Sequence, residues 1–185
     1  GVAPDSKGPL DVPLVAAKKE KIADYTGVIS QAGRVPTIVD VDAFALHNAF
    51  EVNHPDPMRR VVGLINIRHE VTNINILDDG VPILTRDITV GTRRFREDLQ
   101  RERGLGANEA EGLLQGYDRS PHLDAVIEGR GEEIAVGVER AAAFLASSSR
   151  SVAQMKAVYL CGGGARVAGL AEEVGRRLRL PLQLA

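Results

Sequence analysis

The stretch VVGLINIRHEVTNINILDDGVPILTRDITVG, residues 61–91, decides the fold, because it predicts three consecutive strands. An apolar run occupies residues 61–67, and residues 71–77 alternate so that the larger apolar groups lie mostly on one face. Asp78, Asp79 and Gly80 then form a hairpin signal, since glycine takes the positive φ of a tight primed turn. The third strand covers residues 81–90. Such a meander buries a face under helices and predicts a mixed α/β fold.

Upstream of the meander, the sequence predicts two strands and two helices. The strands cover residues 14–17 and 35–41, and a helix at 19–31 ends at Gly33. Asp42 caps the second helix. The buried stripe of that helix is predicted to comprise Phe44, Ala45, Leu46, Ala49 and Phe50.

Downstream, helices alternate with two strands. Thr92 caps a helix at 93–102 with Phe95 and Leu99 on one face, and Asn108 caps a short helix. A long helix starts at Ser120 and is expected to break at residues 129–131, where glycines weaken it. A strand at 157–160, a helix at 166–178 and a strand at 181–184 complete the chain. The order β-β-β-α, helical insert, β-α-β predicts a ribonuclease-H-like half-domain.

Composition excludes several classes of function. The 185 residues carry a net charge of −2 and only 4% aromatic residues, which gives no electrostatic or stacking basis for binding nucleic acid. No apolar stretch approaches the length of about 20 residues that spans a bilayer, so we expect no direct membrane insertion. The single cysteine cannot form an internal disulfide and fits a reducing compartment. Because the sequence has no initial Met, we expect it to be a fragment of something longer.

A glycine triad after a predicted buried strand is the first stretch that could bind a ligand. Gly162, Gly163 and Gly164 let the backbone approach a ligand closely, and free N–H groups at a helix start favour an anion or a nucleotide. The spacing fails the dinucleotide fingerprint, and no P-loop is present. A ligand site and a plain strand–helix turn both remain open.

The link between the first two strands is the second such stretch. A hairpin that opens with an acid and a glycine can wrap a metal-bound phosphate, but here Asn66 and Arg68 occupy those positions. Asparagine lacks the charge that holds Mg²⁺, so a solvated hairpin is favoured from these residues alone. The four histidines lack metal-ligand spacing, and Cys161 is predicted to be a core residue. We therefore predict no catalytic constellation and no metal site.

Four segments together resemble the PilM family of type IV pilus assembly proteins. They are VAAKKEKIADY (residues 15–25), VDVDAFALHNAFE (39–51), VTNINILDDGVPILTRDITVG (71–91) and VYLCGGGARVAGLAEEVGRRL (158–178). The second and third are specific to that family, and the fourth is shared with other actin-like ATPases, including FtsA.

The resemblance implies an actin-like fold of two ribonuclease-H-like halves around a nucleotide cleft, with a small inserted α/β subdomain. Residues 1–56 would be the end of that subdomain and the return to the first half. Residues 57–185 would be the second half, with a helical insert at about 104–150. The first half, with its phosphate loop, is not in this chain, so the resemblance implies either the C-terminal part of such a protein or a natural truncation.

The resemblance also implies a set of nucleotide contacts. By position these are Gly162, Gly163, Gly164 and Arg166 on the adenosine side, Asn66, Arg68 and Thr72 in the second phosphate loop, and Arg140 in the long helix. Asn66 and Arg68 stand where the family has Asp and Gly, and Gly137 stands where a Glu precedes Arg140 by three. ATP with Mg²⁺ is the implied cofactor, and these three changes predict a degenerate site.

Three functions follow from the resemblance. The first is a cytoplasmic scaffold, peripheral to the inner membrane, that binds the cytoplasmic N-terminal tail of PilN and other pilus platform proteins, with pilus motor ATPases as further partners. The second is a slow actin-like ATPase that switches such partners. The third is an FtsA-like division protein. The core-type strand at the end of the sequence counts against it, since a division role would need a membrane-binding helix.

Overall fold

The structure, a computed structural model, describes residues 14–118, 120–147 and 154–185. The chain divides into two compact units, Gly1–Asp40 and Val41–Ala185. In the described part of the first unit, helix α1 (Lys19–Gln31) has the predicted bounds and buries none of its residues. No described helix is both long enough and apolar enough to cross a bilayer.

The two strands predicted upstream of the meander are wrong. Residues 14–17 and 35–41 have no strand hydrogen bonding, although both contain β-branched residues. A strand is stable only beside a hydrogen-bonded neighbour, and none of the described strands pairs with either segment. Val35 and Ile38 are accordingly 84% and 83% exposed.

The second unit is built on a five-stranded mixed sheet. Its strands are β1 (Val62–Ile67), β2 (Thr72–Asp78), β3 (Val81–Ile88), β4 (Ala157–Cys161) and β5 (Leu182–Leu184). They lie in the order β3-β2-β1-β4-β5, where β1, β2 and β3 form the predicted antiparallel meander and β4 pairs in parallel with β1 and β5. At the hairpin between β2 and β3, Asp79 and Gly80 have φ of 47° and 75°, as the turn signal requires.

Both faces of the central strands are buried. Ile65, Ile74 and Ile76 point into the main core, which the helices downstream of the meander cover. Leu64 and Leu77 point to the opposite face. Side chains that alternate between two buried faces explain why β1 reads as a continuous apolar run.

Helix α2 (Asp42–Asn53) covers this second face, with a different stripe from the predicted one. Ala43 and Phe50 are buried and Leu46 is partly buried, whereas the predicted Ala45 and Ala49 are exposed. Phe50 stacks on His54 and meets Tyr159 edge-on, with both pairs of ring centroids 4.7 Å apart.

Three of the predicted N-caps, Asp42, Thr92 and Asn108, are wrong. The helix N-caps are Val41, Gly91 and Gly106, without a side-chain cap, rather than Asp42, Thr92 and Asn108. The helix starts one residue earlier than predicted at Asp42 and at Thr92 and two residues earlier at Asn108, so each polar side chain lies inside the first turn. Asp42 instead pairs with Arg68.

The main core is covered by four helices: α3 (Thr92–Arg103), α4 (Ala107–Leu114), α5 (Pro121–Ser147) and α6 (Leu170–Leu178). The predicted burial of Phe95 and Leu99 on α3 is confirmed, since both are fully buried. The last helix starts later than predicted, because a 3-10 turn, Gly163–Arg166, comes first.

The predicted break in the long helix is wrong, because α5 is continuous over 27 residues. Two of its glycines are buried at close contacts. A Cβ on Gly131 would lie 2.8 Å from Cγ of Glu173, and a Cβ on Gly137 would lie 3.0 Å from Cδ1 of Ile88. These glycines let α5 approach α6 and the sheet, so packing outweighs their low helix propensity.

Candidate functional site

The candidate site lies at the carboxyl ends of β1 and β4. Because the two strands are parallel and in register, Asn66 is paired with Cys161, and the glycine triad follows directly. Gly162 has φ of +80°, and a Cβ there would lie 2.4 Å from Oδ1 of Asn66. Both the conformation and the close contact require glycine. The sequence-predicted Asn66 and Gly162 are therefore neighbours.

The other two glycines of the triad differ from each other. A Cβ on Gly164 would lie 2.2 Å from Cγ2 of Ile67, so Gly164 is needed for the turn to pack on β1. A Cβ on Gly163 would meet nothing within 4 Å. Gly163 instead faces an open cavity, where its backbone is available to a ligand.

This cavity of about 570 Å³ brings together residues from four parts of the second unit. The loop after β1 supplies His69, α3 supplies Thr92 and Arg96, and the glycine turn supplies Gly163 and Arg166. Tyr117, just after α4, lies at the same cavity and is 78% exposed. Of the predicted site residues, Gly163 and Arg166 therefore line one cavity.

Three predicted site residues lie elsewhere. Arg68 pairs with Asp42 and lines a separate cavity of about 220 Å³. Thr72 is fully buried, and its hydroxyl donates a hydrogen bond to the Val90 carbonyl at 2.7 Å. Arg140 is exposed on α5 and is not among the residues that line the larger cavity.

The loop between β1 and β2 is fixed against the start of α3. The backbone N–H groups of Thr92 and Arg93 donate to the carbonyls of Arg68 and His69, both at 2.9 Å. Glu70 pairs with Arg93 at 2.9 Å. The first N–H groups of α3 are thus occupied by the loop and are not available to an anion in the cavity.

The charges around the cavity are predominantly positive. Within the described residues, neither Arg96 nor Arg166 takes part in an ion pair. The one carboxylate among the residues lining the cavity is Glu111, which accepts a hydrogen bond from Gln115 at 2.8 Å. Two unneutralised guanidinium groups in one concave surface favour an anionic ligand.

The residues at this site do not fit Mg²⁺. Mg²⁺ takes oxygen ligands, usually one or two carboxylates together with phosphates, but the polar side chain near the end of β1 is that of the neutral Asn66. The described part of the chain contains no group of three Asp, Glu, His or Cys that could hold a metal ion.

Cys161 lies beside the turn but is not activated. Burial raises the pKa of its thiol to about 11, and its Sγ lies 3.5 Å from the Ile65 carbonyl. A thiol with so high a pKa is almost entirely protonated near neutral pH, so it is a poor nucleophile there.

Sequence reasoning missed Arg96 and Tyr117. Arg96 belongs to the basic run of α3, which reads as an ordinary solvated helix face, and only the packing of α3 against the core turns it toward the glycine triad. Tyr117 follows a short helix, and an aromatic residue at such a position was the one local signal that could have indicated a ligand contact. Arg96 and Arg166 are far apart in sequence, so the sequence alone does not indicate that they line the same cavity.

The family described as type IV pilus assembly protein PilM matches residues 1–185, the whole of this chain. The chain belongs to the PilM family. In the solved PilM-PilN type IV pilus biogenesis complex, a matching chain has 25% sequence identity and a TM-score of 0.77. The match covers 91% of this chain and 48% of that one, so this chain spans about half the length of that relative.

Two further solved structures show the fold alone. The ethanolamine utilization protein EutJ from Carboxydothermus hydrogenoformans matches with 21% identity and a TM-score of 0.67, over 85% of this chain and 54% of that one. MreB5 of Spiroplasma citri bound to AMPPNP matches with 15% identity and a TM-score of 0.64, over 92% and 61%. The predicted actin-like α/β fold of this PilM family member is confirmed.

Proposed function

We propose that this chain is part of a scaffold of the type IV pilus inner-membrane platform that binds the cytoplasmic N-terminal tail of PilN. The observation that carries the proposal is the family match over residues 1–185, together with the similarity to a chain of a PilM-PilN complex. We place the protein in the cytoplasm, held at the inner membrane by its partners. Other platform proteins and the pilus motor ATPases are further proposed partners.

We also propose the domain assignment that the family implies. Residues 1–56 form the end of an inserted subdomain and the return to the first half, and residues 57–185 form the second half with a helical insert at about 104–150. The exposed apolar side chains Tyr25, Val28 and Ile29 of α1 support a docking role for this subdomain. An apolar helix face of this kind suits a peptide that binds by its own apolar anchors.

Binding of a synthetic PilN tail to the intact gene product tests the scaffold function. Fluorescence polarisation is expected to show saturable binding of the tail and none of a scrambled peptide. Val28→Asp places a charge on the apolar face of α1 and is expected to weaken binding at least about tenfold. Ser30→Asp, an equal charge change at an exposed position of the same helix, is the matched control. Absence of binding to the folded wild-type protein would contradict the proposal.

A second candidate function is a slow actin-like ATPase that switches its partners. The observation in its favour is the cavity at the glycine turn, where Arg166 offers charge and Tyr117 offers an aromatic face for a base. Phosphate release by the intact gene product that disappears in Arg166→Gln would support it. The double variant Asn66→Asp with Arg68→Gly restores the family's phosphate loop. Nucleotide binding by that variant alone would show that the wild-type site is degenerate.

A further inference from the structure

We propose that an apolar groove and an adjoining basic recess, at the end of the sheet where β1 and β4 begin, dock a peptide segment of a partner protein. The segment would carry a large apolar side chain beside acidic residues. The glycine turn follows β4 and therefore lies at the other end of the sheet. The proposal goes beyond the scaffold function above, because it assigns a second docking surface, on different elements from α1, to a second partner.

The apolar groove lies between the sheet and the ends of two helices, and its volume is about 410 Å³. Val61 and Ile76 line it from the sheet, Ala146 from the last turn of α5, and Leu178 from the end of α6. Among the described residues that line the groove, Gln154 is the one polar side chain. Pockets of roughly 300–1,000 Å³ with a mostly apolar lining are typical binding sites, so a partner's apolar side chain can be buried here.

The basic recess adjoins the groove and has a volume of about 520 Å³. Val61 and Gln154 line both, so the two spaces are continuous. The charged lining comes from Arg59 and Arg60, which precede β1, and from Lys156, which precedes β4. The backbone N–H of Lys156 donates to the Val61 carbonyl at 2.8 Å, which holds the two segments side by side.

The positive charge of the basic recess exceeds its negative charge. Arg59, Arg60 and Lys156 are exposed, and none of them takes part in an ion pair within the part of the chain that the structure describes. Asp78 is the one carboxylate among the described residues that line the recess, so three cations stand against one anion. This charge favours a partner whose acidic residues lie next to its apolar anchor.

A peptide segment fits this surface better than an anionic membrane does. The cations line a concave recess, whereas a bilayer presents a broad surface. Basic clusters that bind anionic lipids usually contain roughly four to eight Lys or Arg residues, and the recess has three. Peptides, in contrast, commonly bind by placing apolar anchors in a groove, and the charges beside the groove then select the segment that is accepted.

The test is the selection of peptides from a random library displayed on phage, with the intact gene product as the target. We expect the enriched peptides to combine a large apolar residue with Asp or Glu nearby. Fluorescence polarisation then gives the dissociation constant of an enriched peptide, which is expected to rise with salt concentration.

Variants at exposed positions identify the surface that binds this peptide. Ala146→Glu in the groove and Lys156→Glu in the recess are each expected to weaken binding at least about tenfold. Phe144→Glu is the matched control for the first, because Phe144 is 55% exposed on the same helix and does not line the groove. Arg94→Glu makes the same charge change as Lys156→Glu at an exposed position outside the recess. Both controls are expected to bind like the wild type.

Each outcome supports or overturns the proposal. Enriched peptides without acidic residues, affinities unchanged in Ala146→Glu and Lys156→Glu, or no enrichment at all would overturn it. Flotation with phosphatidylglycerol vesicles that requires Lys156, without peptide binding, would overturn it in favour of a membrane contact. Self-association that Ala146→Glu abolishes in sedimentation would make a second copy of the chain the occupant. Loss of PilN-tail binding in Ala146→Glu would make the tail the occupant and would overturn the claim of a second partner.

Discussion

Replacing Arg130 by methionine is expected to destabilise the fold by about 3 kcal/mol, because Arg130 is the main partner of a buried carboxylate. Asp98 on α3 is only 5% exposed. Arg130 on α5 donates to both of its oxygens, from Nε at 2.6 Å and from Nη2 at 2.9 Å. The hydrogen bond to Asp98 raises the pKa of Arg130 above its already high usual value, so the Arg130 guanidinium stays charged.

The expected loss of stability depends on which charged group each variant leaves without its partner. Removing one partner of a buried ion pair costs about 3–5 kcal/mol, and the lower end applies because Arg101 stays 3.4 Å from Asp98. Asp98→Asn is milder, about 1 kcal/mol, since the amide still accepts a hydrogen bond and Arg130 keeps Glu133 at 2.7 Å. In the double variant Asp98→Leu with Arg130→Met, both charges are gone. It is expected to be more stable than Arg130→Met alone.

Urea unfolding of the intact gene product, followed by circular dichroism, measures these differences. Arg101→Met is the matched control, because the Arg101 side chain is 71% exposed and its pairing with Asp98 is long. We expect the control to change stability by less than about 0.5 kcal/mol. An Arg130→Met variant as stable as Arg101→Met would refute the reasoning, and so would a double variant less stable than Arg130→Met.

Three other predictions concern the glycines and the cysteine. Gly164→Ala forces a Cβ to within 2.2 Å of an Ile67 methyl group, so we expect it to lower the free energy of unfolding by more than about 2 kcal/mol in thermal melts. Gly163→Ala has open space around it and is expected to melt like the wild type. Gly129→Ala meets nothing within 4 Å inside α5 and is expected to stabilise by about 1 kcal/mol; a lower melting temperature would show that the helix is not continuous there. The alkylation rate of Cys161 is expected to rise with pH up to about 11, since burial raises its pKa, and a plateau near 9.0 would contradict that burial.

The meander was predictable because its signals are local. The alternation of residues 71–77 and the Asp-Gly turn at residues 79–80 predict two strands and a hairpin within a short stretch, and the observed β2 and β3 agree with both. The same holds for Phe95 and Leu99 on α3. Where residues that are close in sequence are also close in space, the local hydrophobic pattern is enough to predict the structure. The sequence did not predict the register shift between β2 and β3 at Ile76 and Leu77.

The remaining features depend on packing between distant segments. Residues 35–41 have strand propensity but pair with none of the described strands, and Gly137 lowers helix propensity but gives α5 its contact with Ile88. Both predictions failed because tertiary contacts override local preference. At the candidate site, Arg166 and the glycine triad could be predicted from the sequence. Arg96 could be assigned to the site only from the structure, which places α3 beside them.

The affinity of this PilM family member for the PilN tail, measured with and without nucleotide, tests the proposed scaffold function most directly. The measurement is isothermal titration of the tail into the intact gene product, alone and saturated with ATP. A scaffold is expected to bind the tail with dissociation constants that agree within about twofold, because coupling between two sites requires a change in affinity. A change of more than about tenfold would contradict the scaffold account and favour a nucleotide switch. No binding of the tail in either state would contradict both.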